Sequence, residues 1–382
     1  MSKIDKRPEE LLIICAGSQD PTLAGGLIDA EFKWDEFITL ACQKGIASRT
    51  YKFLKSNKDK IPVDQKALEE LQVVHLSLQA KNSFYLEEEV RVIEAFNQGG
   101  IPVIPLKGIF LAEYLYGDIA ARDESVDFDL LVKQEDKDRS RKLLEGLGYS
   151  FCQPKEIEEW LWSDCFTKPK YKAIELHWDI TMMARSPERI EGLWQKAELF
   201  DREGLKYYYF KPEELLLYLC AHQVNSDSFR TLRAVCDINR LLENHADDIH
   251  WPRLISKAKS WRLSGSLYTA LRLNSDFFKD RFPQEALSQL GIPKFKRFFI
   301  RTLAKKSVIL SGGVRRKMLD RLLSYILLEL IEASSLREYL AVFRRCLFPP
   351  RAAMGKRSYF GRLIKGAGKL LTNTPTRKNF KL

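Results

Sequence analysis

No Cys-x-x-Cys pair occurs among the seven cysteines, at positions 15, 42, 152, 165, 220, 236 and 346, and their number is odd. That spacing argues against a zinc ribbon or a disulfide framework. Most of these thiols lie in apolar stretches, where cysteine packs as a small hydrophobe. The five histidines are too dispersed to propose a metal cluster, and no His-Glu-x-x-His, Gly-x-Ser-x-Gly or kinase signature is present. Gly366-Ala367-Gly368-Lys369 resembles the end of a phosphate-binding loop. However, Leu363 stands at the first glycine position and Leu370 follows the lysine. No apolar run approaches the roughly 18 residues of a membrane span. The strongest stretch, Leu322 to Ile331, carries Glu329 and reads as a buried helix. The first ten residues bring acids early and no signal-type apolar core, so a reducing cytoplasm is the expected location.

Acidic residues are absent from 351–382, which holds nine Lys or Arg. The first 350 residues are therefore close to neutral, with 53 basic against 51 acidic residues, although the whole chain carries +11. Phe360, Leu363, Ile364, Ala367, Leu370 and Leu371 recur there at helical spacing between basic residues. Such a basic tail would make a weak electrostatic contact with an anionic surface.

At 382 residues the chain has room for two or three packed units. Helical periodicity runs from about Pro8 to Gln98, with long candidates over Asp35–Asn57 and Val63–Asn97. Glu87-Glu88-Glu89 in the second reads as a solvated face. Gly99-Gly100 ends that helix. Beyond it, a short strand over Pro102–Leu106 turns at Lys107-Gly108 into an apolar helix, Ile109–Tyr116. An Asp-Phe-Asp strand follows, then a charged helix over about Glu135–Glu145, a strand after Tyr149 and another over Lys172–Trp178. From Pro212 the pattern is helical again, over Glu213–Gln223, Ser228–Asn244, Trp251–Trp261 and Ser264–Phe278. The expected class is α+β: an N-terminal helical region (1–100), a small mixed-sheet core (101–210), a C-terminal helical domain (211–350) and the basic tail (351–382).

Alternation within the strands carries the chemistry. Val126, Phe128, Leu130 and Val132 form an apolar stripe, so Asp127 and Asp129 project together from the other face. Two carboxylates on a rigid strand suit a hard divalent cation such as Mg²⁺, which is usually held by one or two carboxylates plus substrate phosphates. In the later strand, Ile174, Leu176 and Trp178 face one way and Glu175 and His177 the other. Glu175 is the natural third carboxylate, and His177 stands beside it to orient a ligand or contact a base. Lys107 and Gly108 offer a cation and a turn before an apolar helix, where backbone N–H groups favour phosphate. Arg122 is balanced between binding phosphate and pairing with Asp118 or Glu124. Arg233 and Asp237, four residues apart, form an intrahelical ion pair by default.

In their order, Leu106-Lys107-Gly108, Leu115-Tyr116-Gly117-Asp118, Arg122, Val126 to Val132 and Leu147-Gly148-Tyr149 resemble an uncharacterised bacterial branch of the nucleotidyltransferase superfamily, with its polymerase-β-like fold. Ile174 to Trp178 is similar to that branch's Asp-Leu-His-Trp strand. Leu215 to His222 and Leu232 to Ile238 resemble its helical segment. The likeness spans roughly residues 30 to 262. It implies Asp127, Asp129 and Glu175 as ligands of two Mg²⁺ ions. It also implies Lys107, Gly108, Arg122, His177, His222, Arg233 and Asp237 as nucleotide-binding residues, with an NTP as substrate. Lys107-Gly108 stands where the superfamily usually has Gly-Ser, and Glu175 where it commonly has aspartate. The implied activity is transfer of an NMP to an acceptor that is a small molecule, RNA or protein, with release of pyrophosphate. The alternatives are a catalytically degenerate nucleotide-binding or regulatory module and a toxin-like transferase acting on RNA or protein.

Overall fold

The computed structural model describes residues 5–17, 20–122, 127–152, 162–180, 187–225, 231–310 and 331. In chain order its helices and strands are α1 (Arg7–Ala16), α2 (Thr22–Gly25), α3 (Trp34–Gln43), α4 (Ala47–Ser56), α5 (Gln65–Gln98), β1 (Ile104–Pro105), α6 (Ile109–Tyr116), β2 (Asp127–Leu131), α7 (Lys137–Gly146), β3 (Ser150–Phe151), β4 (Ser163–Thr167), β5 (Ala173–His177), α8 (Pro187–Lys196), β6 (Glu198–Arg202), β7 (Leu205–Tyr209), α9 (Pro212–Asn225), α10 (Leu232–His245), α11 (Trp251–Ser260), α12 (Ser264–Phe277), α13 (Gln284–Gln289), α14 (Lys294–Leu303) and α15 (Lys306–Leu310). The chain is therefore α+β, as its alternating textures predict. The basic tail and most of the apolar stretch before Ile331 lie outside the described residues.

Two sheets form. The larger runs β1-β2-β5-β4-β3, and its central pair, β2 and β5, is parallel while its other pairings are antiparallel. The smaller is the β6–β7 hairpin, whose Glu203-Gly204 turn takes positive φ at both residues, 54° and 88°. Two-residue hairpin loops favour this geometry because it matches the twist of the flanking strands. The Tyr208 amide donates to the Val103 carbonyl at 2.9 Å and docks the hairpin beside β1. Neither this hairpin nor β4 is anticipated from the sequence, since Glu198–Arg202 has no apolar stripe to give a strand away.

One face of the large sheet, bearing Phe128, Leu130, Ile174 and Leu176, packs on Val92, Ile93 and Phe96 of α5 and Leu144 of α7. The opposite face carries Asp127, Asp129, Glu175 and His177. Leu131 on that face joins a second core, shared by helices α1 to α4 and α9 to α12.

Two helical expectations change. Asp35–Asn57 is split into α3 and α4 because Gly45 takes φ 71°, a turn that ends the first helix. Glu88 and Glu89 are buried rather than solvated. Glu88 pairs with Lys168 at 2.8 Å and Glu89 with Lys172 at 2.9 Å, pinning α5 to the turn between β4 and β5. Burial pushes the Glu89 carboxyl up to about 7 even with the Lys172 ammonium drawing it down.

At the start of α9, Glu213 is buried and accepts from Arg253 and Lys257 of α11 and from the His250 amide. Burial works against its charge, but these donors prevail and hold its carboxyl down to about 2. A depressed folded pKa stabilises above the unfolded value and is lost as pH falls through the folded one. We therefore expect the urea midpoint to fall between about pH 5 and pH 2, with a shallower fall in Glu213→Gln.

Candidate active site

The parallel pairing of β2 and β5 sets Asp129 directly opposite Glu175, and His177 lies one pleat further along. The sequence places the carboxylates on two separate strands, and this register joins them. His177 Nε2 donates to Asp129 Oδ1 at 3.0 Å and lies 3.4 Å from Glu175 Oε2. Lys107, in the turn after β1, reaches Asp129 Oδ2 at 3.0 Å and Asp127 Oδ1 at 3.8 Å. The Leu106 amide donates to the Asp129 carbonyl, so the Lys107 turn is tied to the strand it serves.

Exposure grades across the cluster. The Asp129 side chain is 1% exposed, Asp127 20% and Glu175 38%. Burial raises the Asp129 carboxyl, but Lys107 and the two histidines His177 and His222 outweigh it and hold the group well below the usual carboxylate range. Burial likewise lowers His177, yet its bonds to Asp129 and Glu175 lift it to about 9. The charged forms of Asp129, His177 and Lys107 are thus favoured together.

This donor set fits a divalent cation. Ligand atoms of Asp129, Glu175 and His177 all lie within 4.8 Å of one another, and Asp127 flanks them on β2. Carboxylate oxygens suit Mg²⁺ or Mn²⁺, and His177 would join them, widening the choice toward softer first-row metals, on losing its Nε2 proton. His177 thus stands closer to the acids than its sequence position alone indicates.

Gly108 caps α6 at φ 73°, ψ −136°, a conformation essentially confined to glycine, and a Cβ placed there would meet nothing within 4 Å. Its requirement is thus the backbone angle itself. Gly108→Ala should cost about 1–3 kcal/mol and tilt Lys107 away from the aspartates. Urea unfolding with a parallel nucleotide titration checks both effects.

The remaining predicted residues separate into two groups. Lys107, Arg122, His222 and Asp237 meet around a gap of about 10 Å³ whose walls also include Tyr218 and Ala234. Arg233, next to Ala234 on α10, does not line it. Arg122 binds Asp237 through Nε at 3.0 Å and Nη2 at 2.9 Å, and also donates to the Gly108 carbonyl at 3.1 Å. Among the described residues its carboxylate partner is an acid 115 positions away rather than the nearby Asp118, which pairs with Lys52; Glu124 lies outside the described residues. Asp237 is engaged by Arg122 and by the Tyr116 hydroxyl at 2.9 Å, in place of the Arg233 pairing that the helix spacing favours. Arg49 of α4 completes the chain by donating to Tyr116 at 2.9 Å. Tyr116 and Arg49 carry no sequence signal for this role, because their partners lie on distant helices.

A family model described as an uncharacterised nucleotidyltransferase matches residues 30–279, which takes in everything from the turn before α3 to the end of α12. No curated protein and no solved structure matches the chain. With the paired acidic strands inside the matched span, the chain belongs to this nucleotidyltransferase family.

Proposed function

We propose that this chain transfers a nucleoside monophosphate from an NTP to an acceptor hydroxyl or phosphate, with two Mg²⁺ ions held by Asp127, Asp129 and Glu175. The observation that carries the reading is the facing of Asp129 and Glu175 across parallel strands, with Asp127 one pleat away. A divalent ion held by these carboxylates would supply charge neutralisation for the triphosphate and a lowered pKa for the attacking oxygen. Lys107 and the backbone N–H groups following Gly108 at the start of α6 bind the phosphates. The acceptor oxygen bonds to the α-phosphorus, the bond to the bridging oxygen breaks, and pyrophosphate leaves. Glu175, the most exposed of the three acids, takes the acceptor proton. Tyr218 and His222 of α9 and Asp237 of α10 form the opposite wall.

A second reading, a nucleotide-binding module without turnover, is favoured by Lys107, whose ammonium already answers both aspartates. Calorimetric titration with each NTP, with and without Mg²⁺, followed by a broad acceptor screen, separates the two. Metal-dependent binding with no product in any acceptor class selects the module. Mass spectrometry of RNA and protein after expression, searching for added nucleotide mass, tests for a macromolecular acceptor.

A further inference from the structure

β3 and β4 pair antiparallel with Phe151 opposite Phe166, and those two rings meet edge to face at 5.5 Å on the apolar side of the large sheet. The next pair along is Cys152, just past the end of β3, and Cys165. The Cys152 amide donates to the Cys165 carbonyl at 2.9 Å and fixes them opposite each other. Side chains alternate along a strand, so both thiols stand on the other face, the one that carries the acids. Cys165 is itself directly opposite Glu175, and Glu175 is opposite Asp129. One row therefore crosses the sheet from Cys152 through Cys165 and Glu175 to Asp129.

The two thiols are placed to bond. Directly opposite residues of an antiparallel pair have Cα atoms about 4.5–5.5 Å apart, inside the roughly 4.4–6.8 Å that a disulfide spans. The Cys152 thiol donates to the Cys165 carbonyl at 3.1 Å and is a hydrogen-bonding neighbour of the Cys165 thiol. Access sets this pair apart from Cys15, Cys220 and Cys236, which are buried: Cys152 is exposed and Cys165 half-buried. A dissolved oxidant thus reaches Cys152 first. The two lie 13 positions apart and match no cysteine motif, so only the strand register brings them to notice.

We propose that Cys152 and Cys165 are a reversible disulfide site, closed by a low-molecular-weight disulfide such as glutathione disulfide. The Cys152 thiolate attacks one sulfur of that reagent, the reagent's S–S bond breaks, and one thiol leaves. The Cys165 sulfur then attacks Cys152 Sγ, gives up its proton and expels the second thiol. In total the two protein thiols lose two electrons and two protons, which the reagent takes up as two thiols. Closing the bond draws the Cys165 sulfur toward β3, away from Glu175, so the oxidised pair borders the acidic row with no thiol. Exposed disulfides are the labile ones, and a dithiol reductant reopens this one. The site does not depend on the transfer reading above.

Thiol mapping of the folded full chain tests the pair. The protein is equilibrated in reduced or oxidised glutathione, free thiols are blocked with N-ethylmaleimide, and a tryptic digest is read by mass spectrometry. Trypsin cuts after Lys142, Lys155 and Lys170, which puts the two cysteines on separate peptides, 143–155 and 156–170. In oxidised glutathione these peptides should appear joined, lighter than their sum by two hydrogens, and dithiothreitol should part them. Cys165→Ser, checked for fold by circular dichroism, should lose the joined peptide and leave glutathione on Cys152. Any of three results in the wild type overturns the proposal. One is both cysteines blocked by N-ethylmaleimide even in oxidised glutathione. Another is glutathione held on Cys152 beside a blocked Cys165. The third is a joined peptide that forms only after unfolding in urea.

Discussion

Asp127→Asn should cut nucleotidyl transfer on the order of 10³-fold or more, because a divalent cation at such a site contributes several kcal/mol to the transition state. The fold should hold. Asp127 is partly exposed, and Lys107 keeps its closer contact, Asp129 at 3.0 Å. Asp129→Asn is expected to behave differently. It deprives both Lys107 and His177 of a carboxylate that is 1% exposed, and removing one member of a buried pair costs about 3–5 kcal/mol. The two substitutions thus divide what the sequence presents as equivalent aspartates. Asp127 reports on chemistry, and Asp129 on chemistry and stability together. A radiolabelled NTP-transfer assay beside urea unfolding reads both quantities. An Asp127→Asn protein with intact fold and wild-type turnover would remove this strand from the mechanism.

The second large effect is expected at Asp237, which shares a small gap with Lys107. Asp237 is 2% exposed on its side chain and receives Arg122 through two nitrogens and Tyr116 through its hydroxyl. Asp237→Ala takes from the buried Arg122 guanidinium the carboxylate that it binds through two nitrogens, and breaking such a buried pair costs about 3–5 kcal/mol. Replacing both members, Arg122→Met with Asp237→Leu, should recover much of that loss, because removing a buried ion pair whole costs less than removing one member of it. A double-mutant cycle by urea unfolding measures the coupling, and additive single losses would refute it. Nucleotide affinity should stay impaired in the double variant. Arg122 also donates to the Gly108 carbonyl, and without it the turn that carries Lys107 loses a fixed support.

Glu88 and Glu89 show why a charged run is a poor guide to exposure. Three adjacent acids on a helix look like a solvated face, yet α5 lies against the sheet and Lys168 and Lys172 arrive from the β4–β5 turn to meet two of them. The position of that turn is not coded near residue 88. The same holds for Arg122, which reaches Asp237, an acid 115 positions away, where α6 packs against α10.

What the sequence by itself determined were the features with short periods. Alternation in β2 and β5 put Asp127 with Asp129 and Glu175 with His177, because in an extended strand side chains two apart share a face whatever lies around them. The bounds of α6, Ile109–Tyr116, followed from Gly108 at one end and Gly117, at φ 61°, at the other. Glycines and helical repeats act within a turn or two and need no tertiary partner. Only the tertiary structure decided that β2 and β5 lie side by side and parallel, with Asp129 opposite Glu175. It alone brought Lys107 and His177 onto the acids, gave Asp237 to Arg122 and gathered Trp178, Trp194 and Tyr208 around one cleft. The reason is physical. Ion pairs and clefts are settled by which surfaces burial brings within a few ångströms, and in a chain with 30% charged residues many pairings are open until the core closes.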